Sequence, residues 1–195
     1  MTTFKVVITG PFNAGKTAFI RAVNEIRGVN TDVRTDAGRH IKEQTTVALD
    51  FGRVTLRDGI TLHLYGTPGQ SRFAFLWEML IIECHGILLL VDSQDPQSLG
   101  DAGSMVDFFA ARTRDVPIFV VANKQDLAGA LPPQEVGQRL NLVSPGQEGR
   151  TVALVPPLRC VAQDAKSVRA VLETIVTHLV ADRFSSPLSR PQRPC

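Results

Sequence analysis

Gly10, Gly15, Lys16 and Thr17 stand at the spacing G-x-x-x-x-G-K-[ST] within "ITGPFNAGKTAFI", residues 8–20. These residue types suit phosphate chemistry. Successive backbone N–H groups can curl around a phosphate only where side chains keep clear, which calls for glycine. Lys16 supplies a point charge for the outer phosphates, and the Thr17 hydroxyl is a hard oxygen of the kind magnesium takes. Phe4 to Thr9 form an apolar run of strand length before the loop. After it, Ala18, Phe19, Ala22, Val23 and Ile26 recur at helical spacing, so the loop opens a helix whose positive dipole end faces the phosphate. Asn13, Ala14, Gly15, Lys16, Thr17 and Ala18 are therefore the expected phosphate-binding residues.

Three further segments carry chemistry. In "YGTPGQ", Gly66, Pro68 and Gly69 make a stiff, sharply turned loop that ends in Gln70. In "NKQD", Asn123, Lys124 and Asp126 directly follow the apolar run "IFVVA". A carboxylate at 126 can accept two hydrogen bonds from the N1–H and 2-amino group of guanine, and adenine offers neither donor there. In "CVAQD", residues 160–164, the backbone N–H groups around Ala162 and Gln163 can meet the guanine O6.

The elements that must position these segments alternate. Val47–Leu56 and Ile60–Tyr65 are strand-like runs around "RDG", a hairpin signal. A helix is expected over about 71–83, a buried strand over Gly86–Asp92, a helix over about 96–114, and a strand in "VPIFVVANK". A short helix around 133–140, a strand region in "TVALVPPLRCVA" and an amphipathic helix over 165–181 complete the chain. The double proline in the last strand region points to a sheet edge or a bent start. Residues 27–46 are polar and without clear period. Strands alternating with helices give an α/β domain with a mainly parallel sheet, whose ligands sit at the carboxyl ends of the strands.

A chain of 195 residues suits one well-cored domain. A net charge of +2 argues against a nucleic-acid binder. Cys84, Cys160 and Cys195 form neither a metal-ligand spacing nor a disulfide framework, and His40, His63, His85 and His178 do not cluster. No secretory signal is evident, the longest apolar run is far too short to span a bilayer, and a cytoplasmic location is expected. The segment 185–195 is rich in Pro, Ser and Arg with no acidic residue. It reads as a flexible arm, a weak basic tether for a partner or membrane surface; residues 1–184 form the domain.

The ordered set of motifs resembles the Ras-like small GTPases from residue 4 to about residue 181. The resemblance implies a P-loop NTPase fold (a Ras-like G domain) with about six strands flanked by about five helices on both faces. "TTVALDF" is similar to the first switch of these proteins, with Thr46 at the position that binds magnesium and the γ-phosphate. "GTPGQSRF" is similar to the second switch, with Gly69 at the γ-phosphate contact and Gln70 at the water-positioning glutamine. "NKQD" resembles the guanine-specificity motif, and Ala162 stands at the spacing of the last base-contacting alanine. Gln70, Lys16 and Thr46 are the implied catalytic set, Thr17 and Thr46 the implied magnesium ligands, and GTP or GDP with Mg2+ the implied cofactors.

Two departures bear on the subgroup. The family usually has Asp at the position of Gly66, where it holds a magnesium-bound water. Its absence makes "YGTPGQ" most similar to prokaryotic MglA-type GTPases, which imply a Roadblock (LC7)-type activating partner, a role in signalling or polarity, and an effector at the switch regions. Asp92 can partly replace the missing acid through water or simply cap the turn into "SQDP". Phe12 crowds the space where a partner's arginine would reach, so slow hydrolysis is expected. The readings open at this point are a GTP/GDP switch with slow hydrolysis, a hydrolysis-deficient GTP-sensing adaptor and, much less favoured, a P-loop kinase.

Overall fold

The apolar run Gly86–Asp92 is buried at every residue, which requires protein on both faces of the strand it forms. Leu88 and Leu90 point into one core and Ile87, Leu89 and Val91 into another, the period-two alternation of a central strand. In the computed structural model, which describes residues 2–26, 31–33, 47–113, 116–142 and 156–185, this strand is β5. With it run β1 (Thr3–Thr9), β2 (Thr31–Val33), β3 (Val47–Thr55), β4 (Thr61–Gly66), β6 (Ile118–Asn123) and β7 (Leu158–Arg159). They form one seven-stranded sheet in the order β2-β3-β4-β1-β5-β6-β7. The pairs β4–β1–β5–β6–β7 are parallel, and β2–β3 and β3–β4 are antiparallel.

Helices cover both faces. On one, α1 (Lys16–Val23) and α5 (Ala165–Ser185) bury Phe19, Ile20, Val168, Leu172 and Ile175 against Phe4, Val6 and Leu88. On the other, α2 (Ala74–Leu80), α3 (Pro96–Arg112) and α4 (Pro133–Arg139) bury Trp77, Met105, Phe109 and Val136 against Val7, Leu89 and Val120. The start of α3 follows from its sequence. The Asp95 carboxylate accepts from the Gln97 N–H at 2.9 Å, and Pro96 stands in the first turn, where no N–H is needed. Cys84 and Cys160 are buried free thiols, and burial pushes both up to about 11. Among the described residues no helix is long and apolar enough to cross a membrane.

The hairpin around "RDG" forms as expected, with Asp58 and Gly59 both at positive φ. The structure differs from the sequence reading in three elements. Residues 31–33 add a short strand, β2, within the segment that shows no period. The helix expected over 71–83 is shorter, a 3-10 turn at Ser71–Phe73 followed by α2. Of the last strand region, residues 151–155 lie outside the described residues, and the described part carries strand only at Leu158–Arg159, at the sheet edge. Pro156 and Pro157, which immediately precede it, lack the N–H groups that a longer ladder needs.

The two faces make a simple contrast testable by urea unfolding. Leu88 is fully buried, whereas Met79, on the outer side of α2, is 63% exposed. Leu88→Ala should cost about 2–5 kcal/mol, and Met79→Ala should stay within about 0.5 kcal/mol of the parent.

Candidate functional site

The loop between β1 and α1 is shaped by backbone conformations that favour glycine. Gly10 has φ +140° and Gly15 φ +100°, and Asn13 also sits at positive φ. Space adds to the demand. A Cβ on Gly10 would strike the Leu90 carbonyl, and one on Gly15 would strike the Asn123 side-chain amide. Ala14 is buried, while Phe12 stands 73% exposed at the rim.

The Lys16 ammonium lies across this loop, donating to the carbonyls of Gly10 (2.7 Å) and Pro11 (2.6 Å). A lysine has three N–H donors, so one remains for a ligand. Burial lowers its pKa to about 8, a shift partly opposed by the nearby Asp50 carboxylate. Gly69 comes down on the same amine: a Cβ there would stand 2.7 Å from Lys16 Nζ and 2.7 Å from the Phe12 nitrogen. The loop that carries Gly69 is pinned beside β1, where Thr67 N–H donates to the Ile8 carbonyl and Thr67 Oγ1 donates to Thr9 Oγ1 (2.9 Å each). From the other side Trp77 Nε1 donates to the Pro68 carbonyl at 2.9 Å. Gln70, the next residue, is exposed.

At the first turn of α1 the Thr17 hydroxyl donates to Asp50 Oδ2 at 2.5 Å. Asp50 belongs to β3, and its register partner in β4 is Gly66. Hydroxyl and carboxylate together are hard oxygen donors, the chemistry that magnesium selects, so the residues present fit that ion. Asp50 escaped the sequence reading, although the hairpin register would have revealed it. Asp92 faces elsewhere. Its Oδ1 accepts from the Gln94 N–H at 3.1 Å and its Oδ2 pairs with Lys124 at 2.5 Å, so it holds its own turn and the "NKQD" lysine.

The base-reading segments meet the phosphate loop through one side chain. Asn123, 1% exposed at the end of β6, donates from Nδ2 to the Ala14 carbonyl (2.8 Å) and accepts at Oδ1 from the Ala162 N–H (2.9 Å). Residues 14, 123 and 162 are thereby fixed in one cluster from three distant parts of the chain. Lys124 takes positive φ, which turns the chain sharply and carries Asp126 onto an exposed turn. Ala162 is buried and Gln163 exposed. Ala18 is half-buried in α1. The structure thus joins the loop to "GTPGQ" through Lys16 and Gly69, and to "NKQD" and "CVAQD" through Ala14, Asn123 and Ala162; Gln70, Asp126 and Gln163 are exposed, and Thr46 lies outside the described residues.

Two measurements follow from this geometry. Asn123→Ala would leave a buried carbonyl and a buried N–H without their partner, and should lower the free energy of unfolding by about 2–4 kcal/mol in chemical denaturation. A loss below 1 kcal/mol would contradict the bracing role. Phosphate bound against the loop favours protonated Lys16, whose free-state pKa of about 8 sets the pH range. Affinity should be full below pH 8 and fall above it, by up to about tenfold per pH unit. Calorimetric titration with GDP near pH 8.5, in buffers of different ionisation enthalpy, should show proton uptake.

The comparisons with known proteins bear on both family and fold. The profile of the ADP-ribosylation factor family matches residues 1–178. The chain is 29% identical over 192 residues to the ADP-ribosylation factor-related protein 1 of Bos taurus, covering 95% of this chain and 89% of that one. It is 23% identical over 186 residues to the ADP-ribosylation factor-like protein 3 of Saccharomyces cerevisiae, covering 94% and 89%. In fold it is similar to the Arl6 BBS3 small GTPase of Trypanosoma brucei, solved with the nucleotide analogue GppNp. The TM-score is 0.71 at 19% identity, with 93% of this chain and 99% of that one covered. The placement with MglA-type GTPases, which leans on the missing acid at Gly66, is overturned by the family match. Asp50 stands directly across the strand pair from Gly66, where an added Cβ would come within 2.9 Å of the Asp50 Cβ. The chain belongs to the ADP-ribosylation factor family, among the Ras-superfamily small GTP-binding switch proteins.

Proposed function

We propose that this protein binds GTP and GDP in the cluster braced by Asn123 and hydrolyses GTP slowly, with the two nucleotide states differing at residues 30–46 and 66–80. The observation that carries the reading is the join of the phosphate loop to "NKQD" and to Ala162 through one buried amide. Phosphate and base sites held at fixed separation select one whole nucleotide. Loop amides from Asn13 to Ala18, with the spare Lys16 donor, hold the phosphates. Asp126 accepts from the guanine N1–H and 2-amino group, and backbone at Ala162 and Gln163 meets O6. Because Asp126 is exposed, its discrimination depends on the base itself covering it: guanine replaces the lost water bonds and adenine does not.

The reaction is in-line attack of water on the γ-phosphorus. The bond to the bridging oxygen breaks, GDP leaves with the electron pair, and the water's proton ends on phosphate oxygen. Gln70 orients that water; an amide is no base. Lys16 and the loop amides stabilise the charge on the phosphoryl oxygens. Thr17 and, following the family resemblance, Thr46 would hold a magnesium ion, which would supply positive charge against the phosphates. The γ-phosphate contacts of Gly69 and Thr46 order the two switch segments, and hydrolysis releases them.

Phe12 is the reason for expecting slow turnover. Its ring is exposed at the loop rim, and its backbone nitrogen lies against Gly69, so it stands where an arginine from a partner would enter. The adaptor reading, GTP sensing without hydrolysis, draws on the same ring. An activating partner would have to pass it. The Roadblock (LC7) type rested on the MglA-type resemblance and has no independent support in this geometry. For an effector, Phe75, Met79 and Ile82 expose an apolar stripe along and just beyond α2, within and beside the second switch segment.

Asp126→Asn tests the reading. It should weaken GTP by on the order of a hundredfold or more and shift preference toward xanthosine triphosphate, whose 2-oxo group suits an amide donor. An unchanged guanine preference in equilibrium binding would overturn the base-site assignment.

A further inference from the structure

Gly66 is enclosed. A Cβ placed on it would stand 2.9 Å from Asp50 Cβ and 2.9 Å from Ile20 Cδ1, whereas residues facing across an antiparallel pair normally keep their Cβ atoms about 4.5–5.5 Å apart. The two strands and α1 therefore close over this point with room for one side chain of the facing pair. Asp50 fills it. Its carboxylate reaches the N-terminal turn of α1 and accepts the Thr17 hydroxyl proton.

That hydrogen bond has a chemical consequence. A threonine hydroxyl has one proton and two lone pairs. With its one hydrogen bond donated to Asp50, both lone pairs are left to accept a cation. A ligand oxygen that donates to a carboxylate is both oriented and made more basic toward a cation. Asp50 also places a negative charge near Lys16, whose pKa it partly restores. Negative charge at this spot favours a divalent cation beside the nucleotide phosphates, and neither Asp92 nor any group on β4 supplies it.

We propose that Asp50 is the magnesium-positioning acid of this protein, having moved across the β3–β4 pair from position 66 to position 50. The proposal rests on the nucleotide-binding reading above. It makes the glycine at 66 a consequence of the acid at 50: the pair carries one carboxylate, and either strand can bear it.

The test is release of a fluorescent GDP analogue, followed as a function of free Mg2+ in wild type, Asp50→Asn and the exchange Asp50→Gly with Gly66→Asp. In the wild type Mg2+ should slow release. Asp50→Asn should move the Mg2+ midpoint about 10- to 100-fold higher, with each variant's midpoint read against its own release rate in EDTA, a shift in metal response that general damage to the fold would not produce. The exchange variant, in which the Asp50 Cβ is gone and the Ile20 tip can turn aside, should bring the midpoint back toward wild type. An Mg2+ midpoint unmoved by Asp50→Asn would overturn the proposal while nucleotide binding stood. An exchange variant that binds GDP in EDTA but regains no Mg2+ response would overturn the claim that the two positions are equivalent. Failure of wild type to bind the analogue at all would overturn the nucleotide reading, and this proposal with it.

Discussion

A single buried amide, that of Asn123, holds the candidate site together. A primary amide has a donor end and an acceptor end, and Asn123 points one at the Ala14 carbonyl and the other at the Ala162 N–H. No apolar side chain could do this, and a carboxylate would face the Ala14 carbonyl with a second acceptor. The contact is tight enough that Gly15 must be glycine, since a Cβ there would meet the same amide. The ends of β1, β6 and β7 are thus registered to one another by a bond at their tips as well as by the ladder between them.

Close approach is the second theme. Gly10 lies against the Leu90 carbonyl, Gly69 against the phosphate loop, Gly52 against Ile20, and Gly66 against both Ile20 and Asp50. The last two let α1 sit directly on the β3–β4 pair, which brings Thr17 within reach of a strand side chain. Around this point the site is built from backbone surfaces with few side chains between them. Lys16 is caught among those surfaces, and its burial explains the low pKa.

Much of this was legible in the sequence, because the relevant signals are local. The phosphate loop follows from four residues at fixed spacing, the buried strands from unbroken apolar runs, and the hairpin from "RDG". What was not legible is what depends on partners distant in sequence. The bracing role of Asn123 requires knowing which loops converge. Asp50 was recoverable in principle: pairing Thr55 with Thr61 across the turn carries Asp50 opposite Gly66. Without that count, Gly66 reads as a missing acid and points to the wrong subgroup. The strand at 31–33 left no periodic signal, and Pro156 and Pro157 stand outside the strand that the described residues show at Leu158–Arg159.

The central claim is that phosphate, base and metal sites are one assembly selective for guanine nucleotide. Equilibrium titration of the purified, nucleotide-stripped protein with fluorescent GDP, GTP and ATP analogues, each with and without Mg2+, addresses it most directly. The account predicts binding of both guanine nucleotides, tightened by Mg2+, with ATP excluded by orders of magnitude. Comparable affinity for ATP, or binding of guanine nucleotides indifferent to Mg2+, would contradict it.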